Sequence, residues 1–102
     1  MILLELTIYP LDKGESVGTY VARCLEIIDA SGLDYQCHSM GTSIEGEFDE
    51  LMALVKRCFD ALAADCHRIE VLMRMDYRHA RQGRLRSKVQ SVEHTLGRTL
   101  KK

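Results

Sequence analysis

The chain has 102 residues, 46% hydrophobic and 28% charged, with a formal net charge of −1, a size expected to fold as one domain over residues 1–102. No apolar run approaches the roughly 20 residues needed to cross a bilayer, which excludes a helical membrane protein. The opening "MILLELTIYP" has neither a basic n-region nor a small-residue cleavage site, so it reads as a strand and a cytoplasmic location is expected.

Residues 2–9 place Ile2, Leu4, Leu6 and Ile8 on one face and Leu3, Glu5, Thr7 and Tyr9 on the other, the period-2 pattern of a half-buried strand. "PLDKGE" is a loop, and Ser16 is positioned to cap a helix whose stripe is Val17, Val21, Cys24, Leu25 and Ile28 and whose stop is Gly32. Residues 34–40 and 42–46 read as two strands joined at Gly41, a glycine expected at positive φ. From Phe48 a second helix carries Phe48, Leu51, Val55, Cys58 and Leu62 on one face, with Asp49 and Glu50 favourable at its positive end. Residues 68–76 alternate again, Ile69, Val71, Met73 and Met75 opposite Glu70, Leu72, Arg74 and Asp76. A last helix over about 84–97 has a narrow stripe of Leu85, Val89, Val92 and Leu96, and Gly97 to end it. The order β-α-β-β-α-β plus a terminal helix predicts an α+β, ferredoxin-like sandwich, an antiparallel sheet with two helices on one face.

Charge is unevenly distributed. Residues 1–77 hold 6 Lys/Arg against 14 Asp/Glu, and residues 78–102 hold 8 against 1. A basic tail beside an acidic body favours packing against a second copy over binding nucleic acid. Cys24, Cys37, Cys58 and Cys66 form no C-x-x-C pair and are expected as free thiols, with no metal site: Cys37-His38 and Cys66-His67 are adjacent, and neighbours on a strand point to opposite faces.

Alternation also identifies the sheet face that the two helices leave uncovered: Leu3, Glu5, Thr7, Tyr9, Gln36, His38, Ser43, Glu45, Glu70, Leu72, Arg74 and Asp76. Apolar Leu3 and Leu72 mix there with hydroxyls, a histidine and carboxylates opposed by Arg74. Such a face suits a second subunit or a small polar ligand better than bulk water.

The run "SMGTSIEGE", then "MDYR", then "KVQSVEHTLG" resemble the thiamine-binding protein family. In that family a Pro-Met-Gly-Thr-x-Ile-Glu-Gly motif, an Asp-Asp-Arg-like motif and a Lys-Val-x-Ser-Val-Glu helix recur in this order. Met40, Gly41, Thr42, Ile44, Glu45 and Gly46 match the first motif, and Asp76 and Arg78 the second; Ser39 replaces a proline and Tyr77 an acidic residue. The resemblance implies a dimer of dimers that binds thiamine or its hydroxymethylpyrimidine part near a subunit interface, without enzymatic activity and without a cofactor. For such a ligand Glu45, Thr7 and Thr42 are candidates to engage the aminopyrimidine edge, Tyr9 or His38 to stack on a ring, and Met40, Gly41 and Arg74 to complete the site. Arg78 is expected to be an ion-pair residue holding the basic helix.

Catalysis has little support: Cys37 and His38 cannot share a strand face, and no nucleophile elbow or phosphate loop occurs. An RNA role for "RHARQGRLRSK" conflicts with an acid-rich sheet, since phosphate is repelled there and strand 1 offers Tyr9 alone for stacking. An oligomeric interaction module with no small ligand is the main alternative.

Overall fold

The alternation of Ile2, Leu4, Leu6 and Ile8 produces β1 (Ile2–Pro10), the central strand on which the other elements are arranged. The structure is a computed structural model and describes residues 1–80 and 83–102; Arg81 and Gln82, within the basic stretch weighed for RNA, lie outside the described residues. After β1 come α1 (Gly18–Ala30), β2 (Asp34–His38), β3 (Gly41–Gly46), α2 (Phe48–Ala63), β4 (Ile69–Tyr77) and α3 (Arg84–Leu96). The sheet order is β2-β3-β1-β4 with antiparallel neighbours throughout. This is the ferredoxin-like arrangement with a helix added at its end.

The core lies where α1 and α2 meet one face of the sheet. Leu4, Leu6 and Ile44 pack there against Ile28 of α1 and Leu51, Leu54, Cys58 and Leu62 of α2. Burying each of the large aliphatic side chains contributes roughly 1.5–3 kcal/mol. Cys24 and Cys58, both buried thiols, sit between the two helices; contact with Cys58 and burial push the Cys24 thiol well up, so it stays protonated. Among the described residues no helix is long and apolar enough to cross a membrane.

Helix boundaries show which local signals decided. A reciprocal pair starts α2: Glu47 N–H donates to Glu50 Oε1 at 3.0 Å, and the Glu47 carboxylate accepts from the Glu50 amide. Phe48 is half-exposed, because at the first helical position its side chain leans back past the helix end, and Leu54 takes the buried place instead. Ser16 does not cap α1; Val17 occupies that position without a side-chain bond. The far end of α1 closes at Ser31, whose hydroxyl donates to the Ile28 carbonyl at 2.6 Å, and at Gly32, with φ of 79°. On α3 the predicted stripe is buried only at Leu85; Val92 and Leu96 are half-exposed, so the helix docks by its first turns.

Candidate functional site

A mismatch in strand length creates a concavity beside β1. β3 pairs with β1 only from Ile2 to Leu6, whereas β4 pairs with it from Ile2 to Pro10. Beyond Leu6, therefore, β1 has a neighbour on one side and a notch on the other. The tip of the β2–β3 hairpin borders the notch and α1 forms its floor. The resulting cavity of about 230 Å³ is lined by Leu6 to Tyr9, by Val21, Cys24, Leu25 and Ile28 of α1, and by Cys37 to Thr42. Thr7, Tyr9, His38, Met40, Gly41 and Thr42, six of the residues singled out in the sequence, thus come together.

The hairpin tip is held by contact with β1. His38 pairs with Gly41, so Ser39 and Met40 alone make the turn. Neither has positive φ, and two-residue turns of that kind splay their strands unless something else holds them. Here the Thr7 hydroxyl donates to the Met40 carbonyl at 2.9 Å. Gly41 has a φ of 159°, positive as expected and at the edge of the range that side-chain-bearing residues rarely adopt. Proximity is a second reason for a glycine: a Cβ there would lie 2.7 Å from Thr7 Oγ1 and 2.9 Å from the Leu6 carbonyl oxygen. His38 lies at the rim with its Nε2 3.5 Å from Ser43 Oγ. Chemically, the cavity offers an apolar floor, a turn carrying exposed Met40, and Thr7, Ser39 and Thr42 in its lining, a set suited to a flat heteroaromatic ring with polar edges.

Glu45 and Arg74 do not join this cavity. Glu45 stands opposite Leu3, three residues along β3 from Thr42 and on the other sheet face. Its carboxylate accepts from the backbone N–H of Gly83 at 2.9 Å and of Arg84 at 2.8 Å, so it caps the start of α3. Arg74 faces solvent and pairs loosely with Glu5 at 3.8 Å across the strands. The face expected to be bare is covered at one end, because α3 brings cations to a row of carboxylates. Arg84, only 1% exposed, donates to the Asp76 carbonyl at 2.9 Å and to its carboxylate; Lys88 reaches the same carboxylate at 2.7 Å, and Arg86 reaches Asp34 at 2.8 Å. Lys88 and Arg84 together hold the Asp76 carboxyl below its ordinary range. Much of the basic tail is thus neutralised within the same chain, and Arg84 takes the helix-holding role expected of Arg78.

Comparison with known proteins adds a family. The family described as "Thiamine-binding protein" matches residues 4–93. The chain belongs to that family. A UPF0045 protein of Synechocystis is 41% identical over 96 residues, covering 93% of this chain and 79% of the relative. A UPF0045 protein of Mycobacterium bovis is 35% identical, covering 93% and 94%. Among solved structures, a hypothetical protein of Methanocaldococcus jannaschii superposes with a TM-score of 0.82 at 27% identity, covering 89% of this chain and 94% of the other. A Thermotoga maritima protein, provisionally described as a thiamine biosynthesis/salvage protein, shares the fold with a TM-score of 0.79 at 23% identity, covering 89% and 97%.

The family's first motif is split by its strand. Met40, Gly41 and Thr42 border the cavity, Ile44 is fully buried in the core, and Glu45 secures α3. Ser39, where the family motif has proline, is also among the lining residues. Sequence reasoning assigned Val21, Cys24, Leu25 and Ile28 to the core without seeing that they also floor the cavity. The available signal was strand length: a 9-residue β1 beside a 6-residue β3 must leave part of one edge unpaired.

Proposed function

We propose that this protein is a non-enzymatic binder of thiamine or its hydroxymethylpyrimidine part, held in the notch between β1, the hairpin tip and α1. The observation that carries this reading is the convergence of the family's Met-Gly-Thr turn with Thr7, Tyr9 and an apolar helix face around one cavity. At about 230 Å³ it is smaller than the roughly 300–1,000 Å³ typical of pockets that enclose a drug-sized ligand. It fits a single substituted ring, leaving the cationic thiazolium at the open mouth, where the acidic body favours positive charge. We further propose a homo-oligomer, a dimer of dimers, acting in the cytoplasm, in which a second copy covers the mouth and completes the enclosure. Half-exposed Leu72 and Met73 and exposed Tyr77 on the outer strand β4 support such an assembly, and also the second reading, an interaction module without a small ligand.

Titration calorimetry with thiamine, its phosphates and the free pyrimidine separates the two readings. The expected result is saturable binding of thiamine and pyrimidine by the wild type and loss of at least tenfold in affinity in Val21→Trp, whose larger ring occupies the floor. Absence of heat with every compound overturns the ligand reading. Native mass spectrometry at physiological salt tests assembly independently, and a monomer there overturns it.

A further inference from the structure

We infer a second ligand site, for a phosphate-like oxyanion, between the end of β4 and the first half of α3. Positions 84, 87, 88, 91 and 92 follow the i, i+3, i+4, i+7, i+8 spacing that brings side chains onto one helix face. A helix packed into a core would fill those positions with apolar residues. Here they are Arg84, Ser87, Lys88, Ser91 and Val92, and with Arg78 they line a cleft of about 340 Å³. Three cations and two hydroxyls therefore converge on one concavity, and among the described residues no carboxylate lines it.

The two nearby acids do not cancel this field at the cleft. Asp76 is held by both Arg84 and Lys88, and Glu45 is held by the Gly83 and Arg84 amides. Three cations against the two engaged carboxylates, Asp76 and Glu45, still leave one net positive charge, and neither carboxylate is among the lining residues. Arg84 is nearly fully buried and its guanidinium is engaged by the Asp76 carbonyl and carboxylate, so it contributes fixed positive charge while Arg78 and the two serine hydroxyls supply the donors. No ion pair of Arg78 is found among the described residues, and its backbone N–H donates to the Met1 carbonyl at 3.5 Å, tying the end of β4 beside β1. A ligand for this lining must be negative and must accept several hydrogen bonds at once, which is oxyanion chemistry.

This cleft is separate from the thiamine cavity. Tyr77, the last residue of β4, lies opposite Ile2, whereas the cavity begins at Leu6 and extends to Tyr9. At about 3.3 Å per strand residue the near edge of the cavity at Leu6 is roughly 13 Å from the cleft and its far edge at Tyr9 roughly 23 Å. The phosphate of a ligand seated in the cavity would not reach the cleft, so this inference stands or falls without the thiamine reading.

The test is amide NMR titration of the intact protein with inorganic phosphate and, in parallel, with adenosine monophosphate as a phosphate monoester, at matched ionic strength in sodium chloride. Expected are saturable shifts confined to residue 78 and residues 84–92. Arg78→Gln should weaken the affinity roughly tenfold, Ser91→Ala should weaken it less, and Lys56→Gln on α2 should leave it unchanged. Binding of both probes, or of either alone, supports the site and tells free phosphate from a phosphate ester. Shifts that spread along the basic tail, that sodium chloride reproduces, or that survive Arg78→Gln unchanged overturn it.

Discussion

Gly41→Val is expected to destabilise the protein by about 3 kcal/mol, and Gly41→Ala by about 2 kcal/mol, with midpoints in urea falling accordingly. The first added carbon meets Thr7 Oγ1 at 2.7 Å and the Leu6 carbonyl at 2.9 Å. The threonine can rotate away, at the cost of its bond to the Met40 carbonyl; the backbone carbonyl belongs to the central strand and cannot. A double-mutant cycle separates the two contacts. Thr7→Ala should recover part of the loss in Gly41→Ala, and the remainder combines the backbone contact with the strain of a side chain at φ 159°. Because the same residues border the cavity, thiamine affinity should fall with stability in Gly41→Val. If Gly41→Ala is as stable as the wild type, the close approach of hairpin and strand described here is wrong.

Most of the fold is legible in the sequence because strand and helix periods differ and each element buries one face. Alternation in β1 and β4 assigns each side chain to the face on which register places it, Glu5 beside Arg74 and Leu3 beside Asp76. Period does not report how far along a strand its neighbour extends. Thr42 and Glu45, three residues apart, therefore look like neighbours in the motif, although they stand on opposite faces and serve opposite ends of β3. Nor does charge asymmetry say which acids the basic tail will meet. The excess of cations after Tyr77 calls for a partner, and three of them find it within the chain because α3 folds back over Asp34 and Asp76. Local capping signals are similarly ambiguous: Glu47 and Glu50 make a reciprocal cap, while Ser16, an equally good candidate by residue type, makes none. The difference is geometric, since a cap needs the chain to enter the helix with the oxygen facing the free amides.

Glu45→Ala should cost about 2 kcal/mol, because it strips two hydrogen bonds from the buried start of α3 and leaves the Gly83 and Arg84 amides without their anion. Amide exchange in residues 84–96 should rise while the β1 amides stay protected, since α3 docks by its first turns only. Glu45→Gln keeps one acceptor but turns its NH2 group toward a backbone N–H, so it should lose nearly as much. Thiamine affinity should change less than twofold in either variant, because the cavity lies beyond Leu6; a tenfold loss in Glu45→Gln would return this residue to the ligand site. Acid should release the same helix. Lys88 and Arg84 lower the Asp76 pKa from its ordinary 3.8. A carboxyl whose folded pKa is lowered contributes stability that is fully present above the unfolded value and is lost as pH falls through the folded value. The docking of α3 should therefore be insensitive to pH above about 5 and should weaken below about 4, with the amide shifts of residues 84–92 following the Asp76 titration. Replacing Asp76 with Asn should remove that acid-dependent step and leave α3 already loosened at neutral pH.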